Sequence, residues 1–252
     1  MRVLAPDVDG VAWARLHHGD RFELDLRIRT ERRLFWDGAY DGHLIGALVR
    51  LLPRGSTIID VGANVGFYAI PLARALGARV FAFEPMAANV ARLGRNVDAN
   101  GLHRLVHVAP YALGAEPGSL RLAFERDIFG VSASSGNAAP AEPADAGIAV
   151  PVRTLDTAAD ELGIVDCALV KIDAEGAELG VLRGGAMFIA RHKPLVLLEL
   201  NAHWMRRAGW TAADLVELAL GWHYDVARWN GRRFVPFSGP TEGIENVLLS
   251  PR

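Results

Sequence analysis

Cysteine is nearly absent from this chain of 252 residues, Cys167 being the single one. That excludes an intrachain disulfide and a Cys-rich zinc site. Within the apolar run Cys167-Ala168-Leu169-Val170 it reads as a buried core thiol. An excess of charge is lacking too. The 27 Lys plus Arg against 29 Asp plus Glu leave a formal net charge of −2, which offers no electrostatic reason for a nucleic-acid partner. No stretch is long and apolar enough to span a bilayer. Met1–Asp7 lacks the sustained apolar core of a secretory leader, so cytoplasmic residence is the expectation. The eight histidines show no metal-ligand spacing, and no internal repeat is found. What is present is an apolar fraction of 51%, enough for one large α/β domain. Residues 1–55 read as a hairpin and helix extension of that domain, and 56–252 as its core.

The glycine-rich fingerprint G-x-G-x-x-G of dinucleotide binding is also missing. In its place, the apolar run Thr57–Asp60 opens into Val61-Gly62-Ala63-Asn64-Val65-Gly66 and a second apolar run, Arg79–Phe83, ends at Glu84-Pro85. This is the start of a βαβ unit with an acid before the turn and another at the next strand's carboxyl end. Gly62 and Gly66 would let the backbone approach a ligand, or serve a merely structural turn. Glu84 stands where a carboxylate accepts from both ribose hydroxyls of an adenosine. Asp60 repels phosphate and suits a cation, which favours S-adenosyl-L-methionine, an adenosine carrying a sulfonium and an ammonium but no phosphate, over a dinucleotide.

The rest of the chain alternates strands with helices, which predicts a mostly parallel, doubly wound sheet. Arg21–Arg29 alternates polar and apolar strictly and, with Val11–Leu16, suggests an N-terminal hairpin that covers the main sheet or pairs with a second copy in a homodimer. A helix is expected from Phe67 or Tyr68 to Leu76, begun late so that Pro71 falls in its first turn. Ser119–Phe124 and Ile148–Val152 flank a segment, Asp127–Gly147, whose Ala, Ser, Gly and Pro content reads as a mobile loop. Thr211-Ala212-Ala213-Asp214 looks like a capping box. Pro194–Leu200 is a nearly all apolar strand, and Trp222–Trp229 and Asn246–Ser250 supply the last ones.

In order, these motifs resemble the FkbM-type S-adenosylmethionine-dependent methyltransferases over residues 34–200. Ile59–Gly66 is similar to that family's first motif, Phe83-Glu84-Pro85 to its second, and Ala112-Leu113-Gly114 to the turn after its third strand. Val170-Lys171-Ile172-Asp173-Ala174-Glu175-Gly176-Ala177-Glu178, then Val181-Leu182-Arg183-Gly184-Gly185, resembles its most distinctive segment, and Leu197–Leu200 closes the series. Ala115 stands where an acid usually follows the third-strand turn, with Glu116 one position on. The resemblance implies a Rossmann-like class I methyltransferase fold, with an antiparallel last strand and the N-terminal β extension. It implies donor binding by Asp60, Gly62, Ala63, Asn64 and Gly66, by Phe67, Glu84 and Pro85, and by Ala112, Leu113 and Asp173.

The expected reaction is O-methylation of a hydroxyl on a sugar, glycolipid or polyketide-like small molecule. A hydroxyl needs a base, and open sheets bind ligands at strand carboxyl ends. Asp173 is therefore the first candidate, with Glu175 and His203 as alternatives. Acceptor contacts are expected from Trp36 and Tyr40, from Ser134, and from Glu178 and Glu199; Glu178 reads equally as a helix cap. Trp204 and Trp210 are read as core. No metal is expected, with an oxygen-rich magnesium site of Asp173, Glu199 and Asn201 as the lesser alternative. The competing readings are N-methylation, a nicotinamide-dependent oxidoreductase and a non-catalytic binding protein.

Overall fold

The computed structural model describes residues 10–127, 130–135, 147–239 and 243–252, and of 123–127 and 130–135 the backbone alone. The chain opens with β1 (Val11–Arg15) and β2 (Arg21–Asp25), an antiparallel hairpin, then α1 (Arg29–Asp37) and α2 (Gly42–Leu51). Next come β3 (Thr57–Val61), α3 (Ala69–Leu76), β4 (Arg79–Phe83), α4 (Ala87–Ala99) and β5 (Val106–Ala109). A smaller sheet follows from β6 (Ala112–Leu113), β7 (Gly118–Asp127), β8 (Gly130–Ser135) and β9 (Ile148–Arg153). The main sheet resumes through α5 (Leu155–Glu161), β10 (Leu169–Ile172), α6 (Glu178–Gly184), α7 (Ala186–His192) and β11 (Leu195–Asn201). The chain finishes with α8 (Ala202–Ala208), α9 (Ala212–Gly221), β12 (Tyr224–Trp229), β13 (Phe234–Pro236) and β14 (Ile244–Pro251).

The main sheet has the order β13-β12-β14-β11-β10-β3-β4-β5 among the described residues. Its centre is parallel, and β14 runs antiparallel to β11, as expected of the last strand. Strands β3 and β10 are buried at every position, which is why they read as near-continuous apolar runs. From β3 the chain winds outward through β4 to β5, and from β10 it winds the other way to β11. The order reverses between β3 and β10, so their carboxyl ends frame the crevice in which open sheets bind ligands.

Helix α3 begins at Ala69, after Tyr68, and Pro71 is its third residue. An N–H there would have no partner within the helix, so the proline costs nothing. The capping box is formed: Thr211 N donates to Asp214 Oδ2 at 2.6 Å and Asp214 N to Thr211 Oγ1 at 3.4 Å.

Three expectations are corrected. The strand predicted over Arg21–Arg29 stops at Asp25, whose carboxylate takes the Arg27 N–H at 3.0 Å and its guanidinium at 2.7 and 2.8 Å, turning the chain into α1. Among the described residues the hairpin has no strand pairing with the main sheet; it shares a core cluster with it and lies against α4, where buried Asn96 accepts from Glu23 N at 2.7 Å and donates to Val65 O at 3.0 Å. Arg92 pairs with Glu31, and Arg95 with Glu23, across the same seam. The loop expected over Asp127–Gly147 contains β8, paired with β7; residues 136–146 lie outside the described residues.

Candidate active site

Residues paired across a sheet share a face, as do residues two apart along a strand. Asp60 pairs with Lys171 on one side and Ala82 on the other, and Lys171 pairs with Leu197. Two residues further along these four strands stand Gly62, Asp173, Glu84 and Glu199. One side of the crevice therefore collects acids from the ends of four adjacent strands, and β14 adds Asn246 opposite Glu199.

Gly62 has φ +73, and a Cβ there would overlap the carbonyl oxygen of Asp173; at Gly66, φ +100, it would meet Leu93 at 2.7 Å. The space that these glycines leave is thus taken by protein, and their backbone seats the turn tightly against β10 and α4. Glu84, 5% exposed, clasps that turn from the other side. It accepts from Asn64 N at 2.9 Å, Met86 N at 3.0 Å and Asn89 Nδ2 at 3.3 Å. Three of the roughly four lone-pair sites of a carboxylate are thus taken by the protein itself. Burial raises the Glu84 carboxyl above its usual range, against the pull of those N–H donors.

Asp60 is 1% exposed, and the cation beside it is internal: Lys171 Nζ lies 3.3 Å from Oδ1. Neither Asp60 oxygen has a well-formed hydrogen bond. Lys171 also stands 3.5 Å from Asp173 Oδ2 and 3.5 Å from Gly62 O, and 5.0 Å from the Tyr68 ring centre. Burial opposes its charge, but Asp60, Asp173 and Glu199 outweigh burial and hold the ammonium above its usual range. Burial likewise raises Asp60, with Lys171 pulling it down. Glu199, half-buried, is pushed up to about 8 by burial and then by Asp173. Lys171 carried no role in the sequence reading; the signal available was a lone lysine inside an apolar strand.

Tyr40 reaches the same cluster. It stacks on Phe67 at 4.7 Å, and its phenol is pushed well above its usual range by burial and by the charges of Glu199, Asp173, Asp41 and Asp60. Asp41, at φ +43, accepts from Tyr68 Oη at 2.7 Å, so the α1–α2 connection is tied to the head of α3. Both residues come from the N-terminal extension.

The remaining candidates lie as follows. Trp36 is 69% exposed on α1. Phe67 sits in the core between Phe22 and Tyr40, and Leu113 is buried. Ala63 is buried in the turn; Pro85 and Ala112 are half-buried at the ends of the strands they follow or form. The Ser134 side chain lies outside what the structure describes. Glu178, 2% exposed, is a loop clasp instead of an acceptor contact: its oxygens accept from Ala174 N at 3.1 Å and Gly176 N at 3.0 and 3.1 Å. Burial pushes it up to about 7. Trp210, buried as expected, locks the same loop by donating to Gly176 O at 2.8 Å. Glu175 is half-buried on that loop with φ +48, and His203 is exposed in the first turn of α8.

The magnesium donor set does not fit. Lys171 already places a positive charge among the acids, and Asn201 Oδ1 caps α8 by accepting from His203 N at 3.0 Å. A methyl donor without phosphate does fit: the acids at Glu84, Asp173 and Glu199 offer acceptors, and the turn presents no cation to a pyrophosphate.

A family model described as the methyltransferase FkbM domain matches residues 60–225. "Methyltransferase 1" of Beauveria bassiana (strain ARSEF 2860) is 29% identical over 171 residues, 61% of this chain and 65% of that protein. The chain therefore spans less than two thirds of that relative's length. Among solved structures, a methyltransferase FkbM from Methylobacillus flagellatus KT superposes with a TM-score of 0.51 at 19% identity, over 79% of this chain and 44% of that one. A TehB-like SAM-dependent methyltransferase from Corynebacterium glutamicum ATCC 13032 Kitasato gives 0.51 at 12% identity, over 88% and 94%. The two likenesses establish a shared fold.

Proposed function

From the premise that this chain belongs to the FkbM methyltransferase family, we propose that it methylates a hydroxyl of a small, phosphate-free acceptor with S-adenosylmethionine as donor. The observation that carries this reading is the row of carboxylates along the β4-β3-β10-β11 edge, with its one cation buried beneath. When bound, the donor supplies a sulfonium-activated methyl group open to in-line displacement. Glu84 would hold the donor's sugar with its remaining acceptor site, and the turn at Gly62–Gly66 would carry the donor against the end of β10.

The chain's own part in the chemistry is alignment and proton removal. Alignment of a bound pair is worth effective molarities of about 10⁵ to 10⁸ M. For the proton, Asp173 and Glu199 stand side by side at neighbouring strand ends. A base works best with a pKa near the working pH and adds about 10²- to 10⁴-fold; Glu199, at about 8, meets that condition. An amine arriving neutral would not need such a group, which favours oxygen over nitrogen as the acceptor atom. Tyr40 and Asp41 place the N-terminal extension over the acceptor side.

Isothermal titration with S-adenosylmethionine and with NADH tests the donor. Binding of NADH alone would overturn it. A panel of hydroxylated sugars and macrolides beside matched amines, read by mass spectrometry for an added methyl group, tests the acceptor atom. Methylation confined to the amines would overturn the hydroxyl assignment.

A further inference from the structure

Lys171 is one of two lysines, with Lys193, among 27 basic residues. It sits in a strand buried at every position, is itself 5% exposed, and nothing in the reaction proposed above uses it. Its ammonium touches both sides of the crevice: Asp60 lies on β3, the Gly62 carbonyl in the turn that follows it, and Asp173 just after β10. A compact ammonium with three donors can bridge these groups in a space where a planar guanidinium would not turn.

We propose that Lys171 is a positioning residue for the methyl donor: its buried ammonium clamps the donor turn to the end of β10 and supplies the charge that lets Asp60 remain ionised inside the protein. The inference rests on the donor reading above and extends it to a residue that contacts no ligand. The groups that face this ammonium are Asp60 on β3, Asp173 after β10, Glu199 on β11, Glu84 after β4 and the Tyr68 ring ahead of α3. Asp60 in turn faces Lys171, Asp173 and Tyr40. Without Lys171, only the Ala69 N–H at the head of α3 is left to favour the Asp60 charge, against burial and Asp173. A buried carboxylate in that position takes up a proton, and each rise in pH then works to ionise it and loosen the turn.

The test is the affinity for S-adenosylhomocysteine, whose sulfur is uncharged, measured by calorimetry at pH 6 and pH 8. Wild type sets the reference at each pH, because Glu178 and Glu199 change charge over this range as well. Lys171→Met is expected to bind about tenfold weaker or worse at pH 8, the loss of hydrogen bonds to charged groups, and to recover towards pH 6. The double variant Asp60→Asn with Lys171→Met removes both charges of the pair, so it is expected to bind more tightly than Lys171→Met at pH 8 and to follow the pH dependence of wild type. Wild-type affinity in Lys171→Met at both pH values overturns the proposal, as does an equal loss at both that Asp60→Asn leaves unchanged. Should Lys171→Met fail to fold, the double variant decides: folded and binding supports the proposal, equally unfolded overturns it. A wild type that binds neither the donor nor S-adenosylhomocysteine removes the donor site itself, a result distinct from these.

Discussion

At the scale of single residues, the site is built from carboxylates whose oxygens hold backbone before they hold ligand. Glu84 joins the turn at Asn64 to the loop at Met86, so its removal strikes structure and donor binding together. Glu84→Ala is expected to lose about 1–3 kcal/mol for each buried N–H left unpaired, read as a lower urea midpoint, and to weaken donor binding. Glu84→Gln keeps one good acceptor and is expected to lose less on both measures. This residue was legible because a carboxylate directly after an apolar strand has few purposes there. Asp60 was legible as an acid at a strand end but not as a buried one. Which cation it faces depends on the β3–β10 register, and a residue 111 positions away along the chain (171 − 60) enters only once the two strands lie side by side. Lys171 was missed for the same reason, whereas the clasp of Glu178 is local, made to N–H groups two and four residues before it, and its cap reading came close to it.

At the scale of elements, strong periodic signals and capping residues were read well. The late start of α3 and the box at Thr211 both follow from local chemistry. The short helices α1, α7 and α8 were not legible; α1 continues a pattern that alternates like a strand, and only the Asp25 turn breaks it. How the hairpin docks was equally hidden, because it depends on Asn96, an uncharged polar residue inside a helical stripe. Asn96 is fully buried and serves Glu23 N and Val65 O at once. Asn96→Ala strands both groups, at about 1–3 kcal/mol each. The expected outcome is faster amide hydrogen exchange throughout β1 and β2, with β3 and β10 still protected, since the hairpin forms its own sheet and opens without breaking the main one. Uniform loss of protection would show that hairpin and core open together.

At the scale of the whole molecule, the crowding of acids at one sheet edge sets how stability varies with pH. Burial raises Asp60, Glu84, Glu178 and Glu199, the last two to about 7 and about 8. Between the unfolded value of 4.5 and these folded values, the native state holds protons that the unfolded chain has released. Stability must then fall as pH rises through that window. Lys171 adds no slope there, because its folded value lies above an already high one and its contribution is lost only in strong alkali. Glu23 and Asp25 act in the opposite direction: hydrogen bonds from Arg95 and Arg27 lower them, so their stabilisation is present at neutral pH and lost on acidification. The sum is a stability ridge on the acid side of neutrality, expected as a urea midpoint higher near pH 5 than near pH 8. Glu178 is 2% exposed and shifts from 4.5 to about 7, which corresponds to on the order of 3 kcal/mol across the window. Glu178→Gln, having no proton to lose, is expected to flatten the fall by about that amount, even if its stability at pH 5 is lower. A variant whose midpoint falls from pH 5 to pH 8 as steeply as wild type would place the titrating group elsewhere along the edge.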